Sequence, residues 1–220
     1  MEPLAESRRN FLQRSALLAV GLPLLVGCKA DILGQRHTGN ALLERLRKKG
    51  LSVDPSWSGA KDAPDGVSSR TTLAGPSDPG ERIAISGTVF QPDGKTAAPN
   101  TLIYLYHTDV HGFYGRNGEP RHGRHRGWML TDTQGRYEFS SIMPASYPDT
   151  TVVAHIHMTV TIETAREDSV DSILFEGDRF LTARTRELSG KKGGFQPIVT
   201  LVQGADGVGR ATRDIQLLKV

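Results

Sequence analysis

Residues 147–160 read YPDTTVVAHIHMTV, and this stretch is predicted to contain the central strand of the fold and most of its candidate site. Its later part is β-branched and apolar, which is typical of a strand. Alternate residues of a strand point to the same face, so His155 and His157 are predicted to project into one site. Tyr147 lies just upstream in a proline-containing turn, and Tyr114 lies in a Gly-Phe-Tyr-Gly loop sequence. These four side chains are therefore the candidate ligands of one metal ion.

Short apolar or alternating segments separated by turns follow residue 80. Strands are predicted over 83–90, 101–108, 127–131, 137–142, 151–162, 197–203 and 212–220. Regular short strands with such turns are typical of a β-sandwich. The predicted fold class is all-β, an Ig-like or transthyretin-like β-sandwich with a loop-rich N-terminal extension. The segment 178–188 is ambiguous between helix and loop.

The sandwich domain is predicted over 81–220, after an extension over 29–80. Within the extension, 39–49 is predicted to form a short helix with an apolar face, because leucines recur at helical spacing. The following part, 52–80, is rich in Ser, Gly, Pro and Asp and is predicted to be a loop that wraps the domain or stays mobile.

Residues 1–28 are predicted to be a targeting signal. Arg8 and Arg9 are followed by an apolar run and then by Leu-Val-Gly-Cys28. This order is typical of a twin-arginine-type lipoprotein signal. We therefore expect export by that route, a periplasmic location and membrane attachment through a lipid on Cys28. The alternative is an uncleaved N-terminal anchor helix with an unmodified cysteine.

Charge and cysteine content exclude several classes of function. The formal net charge is +3, and no basic stripe interleaved with aromatic residues is present, which argues against nucleic-acid binding. The single cysteine excludes a disulfide framework within the chain and cysteine-based zinc sites. The sequence leaves the oligomeric state open, including a dimer in which 29–80 serves as an arm.

The chemistry of the four candidate ligands favours non-haem ferric iron. Imidazole suits iron, copper, nickel and zinc. A phenol, with an ordinary pKa of about 10, binds only after it loses a proton, and a strongly Lewis-acidic cation such as Fe(III) drives that loss. Taken separately the signals are weak, because a His-x-His pair is common in strands and a loop tyrosine usually serves packing.

Several collinear motifs strengthen the interpretation. They read ISGTV at 85–89, LYHTD at 105–109, GFY at 112–114, GRYEF at 135–139, AHIH at 154–157 and ILFEGDRFLT at 173–182. In these motifs the chain resembles the intradiol ring-cleavage dioxygenase family. The resemblance implies a ferric ion held by Tyr114, Tyr147, His155 and His157.

The same resemblance implies an enzyme whose partners are a catechol-like aromatic substrate and O2. Both oxygen atoms would enter a ring-opened, muconate-type dicarboxylate. Tyr147 would be the catalytic residue that leaves the iron and takes up a substrate proton.

The chain departs from the family near the reacting ring. The catechol enzymes place an arginine three residues before the first metal histidine, and Val152 occupies that position here. The family's downstream glutamine has no clear counterpart in 163–175. Arg124, Arg126 and Arg179 are candidate substitutes, although solvated surface roles are favoured. The alternative function is therefore a non-catalytic metal-binding or interaction β-sandwich of the cell envelope.

Four further histidines, at 107, 111, 122 and 125, have two interpretations. They form a second metal site or line the pocket mouth, or they are solvent-exposed loop residues, which we favour. Phe113 and Trp128 are predicted either to wall an aromatic pocket or to belong to the sandwich core.

Overall fold

The computed structural model describes residues 41–51, 53–115 and 119–219. Within them lie two β-sheets, helix α1 over 41–50, helix α2 at Ala183–Leu188 and a 3-10 helix at Ala60–Asp62. The strands, in chain order, are β1 Arg70–Thr72, β2 Arg82–Phe90, β3 Leu102–His107, β4 Arg126–Leu130, β5 Arg136–Ile142, β6 His155–Ile162, β7 Ala165–Phe175, β8 Ile198–Val199, β9 Val202–Gln203, β10 Gly209–Thr212 and β11 Ile215–Gln216.

The two sheets form the predicted sandwich. The first has the strand order β1-β5-β2-β10-β9, with β11 also paired to β2. The second has the order β4-β3-β6-β7-β8. The pairs β4-β3, β3-β6 and β6-β7 are antiparallel, and the pair β7-β8 is parallel. Strand β6, which carries the two histidines, is the middle strand of the second sheet. The predicted all-β sandwich fold is confirmed.

The main hydrophobic core lies between the sheets. In β2 and β4, for example, every second residue is buried, as the period of two requires of a strand with one face on the core. The inward side chains of the second sheet include Ile103, Leu105, Met129, Ile156, Met158 and Ile173, and those of the first include Ile85, Val89, Phe139 and Ile215. The residues between them therefore face outward, and they build the candidate site.

The N-terminal extension covers part of that outer face. Leu43 and Leu46 of α1 are buried in a second apolar cluster with Leu102 of β3, and Trp128 packs against it. The predicted short helix is confirmed. Because of this cover all six residues of β3 are buried, although a strand exposed on one face would alternate.

Several predicted strands have different boundaries. The central strand begins at His155 rather than at residue 151, because the N–H of Ala154 donates to Asp178 Oδ2 (3.0 Å) instead of joining a ladder. The segment predicted as one strand over 197–203 divides into β8 and β9, which belong to different sheets.

Two further differences concern the last part of the chain. Of the segment predicted as one strand over 212–220, only residue 212, the end of β10, and β11 at Ile215–Gln216 are strand, and the fully buried Arg213 lies between them. Strand β7 was not predicted, and the ambiguous segment 178–188 contains α2.

None of the helices in the described part of the chain is long and apolar enough to cross a bilayer. The predicted signal 1–28, with Cys28, lies outside the described residues, as does 29–40.

Candidate metal centre

The outward side chains of β4, β3 and β6 form three aligned rows across the second sheet. In one row Tyr106 of β3 lies between Arg126 of β4 and His157 of β6. His155, two residues before His157, points to the same face of the sheet. The ladder therefore places both histidines on a rigid element, as the His-x-His spacing predicts.

Two loops bring the tyrosines to the histidines. The N–H of Ala145 donates to the carbonyl of Asp109 (3.1 Å), and the Thr108 hydroxyl donates to the carbonyl of Ala145 (2.6 Å). A Cβ at Gly112, whose φ is +84°, would lie 2.1 Å from the carbonyl oxygen of Ser146. Glycine therefore allows the Tyr114 loop to touch the Tyr147 loop.

The polar atoms of the four candidate ligands converge. The Tyr147 hydroxyl oxygen lies 3.0 Å from His155 Nε2 and 3.4 Å from His157 Nε2. The two Nε2 atoms are 2.9 Å apart, and His157 Nε2 is 2.8 Å from the Tyr114 hydroxyl. The hydroxyls of Tyr114 and Tyr147 are in direct contact. The structure therefore brings together all four side chains named from the sequence.

This arrangement fits one metal ion. Donors about 2.0–2.1 Å from a common ion lie about 2.9–3.4 Å from one another, close to the spacings seen here. The Nδ1 atom of His155 lies 2.7 Å from the carbonyl oxygen of Val153, which only accepts, so Nδ1 carries the proton and the Nε2 lone pair faces the cluster.

The electrostatic setting also favours a strongly charged cation. Burial, together with the hydrogen bond to Tyr147, raises the pKa of Tyr114 well above that of a free phenol. Burial and the nearby His155 lower the pKa of His157 to about 3, so this imidazole is neutral at physiological pH. A phenolate at such a site requires a cation that overcomes the cost of burying the charge.

Val152 is 43% exposed, and the three arginines considered as substitutes for the family's arginine have different surroundings. Arg124 pairs with Asp78 (2.9 Å), and the guanidinium of Arg126 lies over the Trp128 ring. Arg179 is exposed and stacks on the Phe180 ring, and with Tyr147 it lines a surface depression of about 350 Å³.

Three of the four additional histidines are not solvent-exposed, so the favoured interpretation was wrong for them. His107 and His125 are fully buried with parallel rings 5.2 Å apart, and His122 is half-buried between tyrosines. Burial lowers the pKa of His107 to about 4. Only His111 among these four is exposed. Trp128 packs against the second apolar cluster, whereas Phe113 is 51% exposed.

The sequence reasoning missed residues that support the site. The Tyr106 ring stacks on that of His157 at 4.6 Å, and the Ser172 hydroxyl lies 3.3 Å from His157 Nδ1. Tyr106 could have been found from the alternation of β3, but only with the pairing of β3 and β6 known, whereas β7 does not alternate and gave no signal for Ser172.

Comparisons with known proteins agree with this architecture. The family model described as Dioxygenase matches residues 55–192. Catechol 1,2-dioxygenase of Acinetobacter baylyi is 36% identical over 75 residues, which cover 32% of this chain and 24% of that protein. The protocatechuate 3,4-dioxygenase beta chain of Burkholderia cepacia is 28% identical over 113 residues, which cover 46% of this chain and 48% of that one.

Among solved structures, the dioxygenase domain of a carbohydrate-binding fusion protein from Streptomyces sp. SirexAA-E has the same fold. It superposes with a TM-score of 0.56 at 22% identity, over 77% of this chain and 97% of that one. The alignments with the two curated relatives span about a quarter and about half of those proteins' lengths. Because the family model covers more than half of the residues, this chain belongs to the intradiol ring-cleavage dioxygenase family.

Proposed function

We propose that the protein is an Fe(III)-dependent intradiol dioxygenase that opens a catechol-like aromatic with O2. In the balanced reaction the ring bond between the two hydroxyl-bearing carbons breaks and both oxygen atoms of O2 enter a muconate-type dicarboxylic acid. The observation that carries the proposal is the convergence of two imidazole nitrogens and two phenol oxygens at one point. Family membership agrees with this chemistry.

Tyr114, Tyr147, His155 and His157 would hold the iron. A ferric ion bound there would supply Lewis acidity, which lowers the pKa of catechol hydroxyls and favours reaction of the ring with O2. The histidines present neutral nitrogen lone pairs from a strand, and the tyrosines present phenol oxygens from two loops. Two phenolates favour the ferric over the ferrous state, because they add negative charge at the site.

Tyr147 is proposed as the exchangeable ligand and proton acceptor. Its hydroxyl contacts the other three donors, and it lies on a loop rather than in the ladder. A phenolate that leaves the ion has the basicity to hold one proton from an incoming catechol hydroxyl. Its oxygen would therefore keep that proton within the site during substrate binding.

Val152 supports a second candidate function. Its side chain offers neither charge nor a hydrogen bond to a developing carbanion, so one source of electrostatic stabilisation expected in catechol enzymes is missing. A metal-binding protein of the cell envelope without turnover is the alternative.

The visible spectrum of the full-length protein, loaded with ferric iron, tests the site. A tyrosinate-to-iron charge-transfer band is expected, and catechol added without O2 should shift it. Tyr114→Phe should weaken or shift the band, and oxygen uptake with catechol then tests turnover. A band without oxygen uptake over a panel of catechols would favour the non-catalytic alternative, and a colourless, iron-free protein would contradict both.

We also propose that the protein is exported and anchored to the cell envelope through Cys28. The support is the order of paired arginines, apolar run and Leu-Val-Gly-Cys in residues 1–28. Cells fed a radioactive fatty acid should label the protein, and Cys28→Ala should abolish the label. An unlabelled wild-type protein would contradict the anchor.

A further inference from the structure

The two histidines of the candidate centre are held in different ways. The ring of His155 is fixed by a 2.7 Å hydrogen bond from Nδ1 to the carbonyl of Val153. For His157, the corresponding contact is to the Ser172 hydroxyl at 3.3 Å, near the limit of a hydrogen bond. A hydroxyl both donates and accepts, so this contact sets neither the tautomer nor the ring plane firmly.

A stack of aromatic rings restrains His157 instead. The Tyr106 ring lies 4.6 Å from the His157 ring with 23° between the planes. On its other face, the Tyr106 ring lies 3.9 Å from the His122 ring with 13° between the planes. Tyr106 is only 4% exposed and lies directly opposite His157 in the ladder of β3 and β6. Rotation of the His157 ring would therefore disturb a packed three-ring stack.

His122 is itself fixed by two hydrogen bonds. Its Nε2 lies 2.8 Å from the carbonyl oxygen of Ser56, so Nε2 carries the proton. Its Nδ1 then accepts from the Tyr104 hydroxyl at 2.7 Å. Arg121 Nη1 lies 3.4 Å from Nε2, but a guanidinium only donates, so the shorter carbonyl contact decides the tautomer.

The backbone of His122 also indicates that its position is imposed by its surroundings. Its φ is +66°, a region that non-glycine residues seldom adopt. Such a conformation persists where neighbouring contacts determine it. Here those contacts come from Ser56 in the N-terminal extension and Tyr104 in the sheet.

We propose that Tyr106 and His122 are positioning residues that fix the imidazole plane of His157 and so aim its Nε2 at the metal. Tyr106 does this through the stacked ring, and His122 does it through Tyr106. The extension thereby contributes to the metal centre through the carbonyl of Ser56. This inference rests on the proposed function, since it requires that His157 binds iron.

Iron affinity and the charge-transfer band are the decisive measurements. Tyr106→Leu removes the ring, whereas Tyr106→Phe keeps the stack and serves as the conservative rescue. His122→Asn removes the second ring with a residue that tolerates positive φ. His111→Asn makes the same exchange at an exposed loop histidine and is the matched control.

Partners behind a metal-binding histidine typically contribute about 10–100-fold to metal affinity. Competition with a chelator should therefore show affinity losses of that order for Tyr106→Leu and His122→Asn, together with a shifted or broadened charge-transfer band. Tyr106→Phe and His111→Asn should stay within about twofold of the wild type on the same scale. Thermal melting of the iron-free variants, measured in parallel, gives the loss of stability separately.

The inference is overturned if iron binding does not depend on the stack. If Tyr106→Leu and His122→Asn melt at lower temperature but keep the affinity and band of the wild type, the stack is only structural. If Tyr106→Leu does not fold, His122→Asn alone decides, because His122 is half-buried and its ring borders solvent. If the wild type binds no iron, the proposed function and this inference both fail, whereas unaffected variants of an iron-binding wild type contradict the inference alone.

Discussion

Buried polar atoms have different partners at the two ends of the outer face of the second sheet. The covered end is the part around Glu167 under the N-terminal extension, and the donor end is the part that holds Tyr114, Tyr147, His155 and His157. At the covered end, the Glu167 carboxylate accepts hydrogen bonds from the N–H groups of Gly59 (2.8 Å) and Ala60 (3.0 Å) and from the Thr159 hydroxyl (2.6 Å). At the other end, the donor atoms of the two tyrosines and two histidines contact mainly one another.

The difference separates a structural polar group from a ligand site. A buried carboxylate with three donors is satisfied by the chain alone, and it fastens the extension to the sheet. At the other end, two phenol oxygens and two imidazole nitrogens, each with a lone pair, lie within about one ion's reach, which is the geometry expected of a ligand site. Substitutions at the covered end should therefore change stability, and those at the donor end should change iron binding.

The largest expected effect is at the donor end. His155→Ala should remove a ligand and lower oxygen uptake by on the order of 1,000-fold, which is about 4 kcal/mol of activation barrier. Iron content and oxygen uptake measure this change, with His111→Ala as the control. Full iron occupancy in His155→Ala would break the assignment of this end as a metal site.

At the covered end, Glu167→Ala should lower the free energy of unfolding by about 3–4 kcal/mol, because three buried donors lose their acceptor. Glu167→Gln retains one oxygen acceptor and should cost roughly half as much. Urea unfolding of the iron-free proteins gives both values. If the folded fraction of Glu167→Ala has lost its charge-transfer band, the two ends are not independent.

The pH dependence of stability tests the protonation of His107, the fully buried last residue of β3. The folded pKa of His107 is about 4, below the ordinary value of 6.5, so the folded state binds fewer protons than the unfolded state between these values. The stabilising contribution is present above pH 6.5 and falls as the pH decreases, by about 3 kcal/mol at pH 4. His107→Gln should remove this part of the slope in urea unfolding, and His111→Gln should not. If the free energy of unfolding of His107→Gln depends on pH as in the wild type, His107 does not have a lowered pKa in the folded state.

The smallest effect concerns the contact between the covered end and the 3-10 helix. The indole N–H of Trp128 donates to the carbonyl of Gly59 at 2.7 Å. Trp128→Phe should keep most of the packing and lose about 1 kcal/mol of stability, because one buried hydrogen bond is removed. Chemical denaturation measures the loss, and iron affinity should remain within the error of the wild type. A weaker iron affinity would sharpen the comparison by showing that the cover extends its influence to the donor end.

The sequence was sufficient for elements with a clear period and for choosing four side chains that the structure brings together. Alternation predicted β3, short apolar segments between turns predicted β2 and β5, and the His-x-His spacing placed both histidines on one face. Strand β7 was not predicted from the sequence because its buried residues recur at intervals of about three rather than two. Register shifts in its ladder with β6 interrupt the alternation. The stack of Tyr106 on His157 could not be predicted, because it depends on which strand pairs with which.

The four donors also differ in what carries them. His155 and His157 belong to a strand held by ladders on both sides, whereas Tyr114 and Tyr147 belong to loops joined at the close approach of Gly112 to Ser146. A ladder resists displacement of any one residue, but a loop can change its dihedral angles locally. In the proposed ferric site one half of the coordination would thus be fixed in place and the other half adjustable, so a tyrosine could leave and return without any strand changing its register.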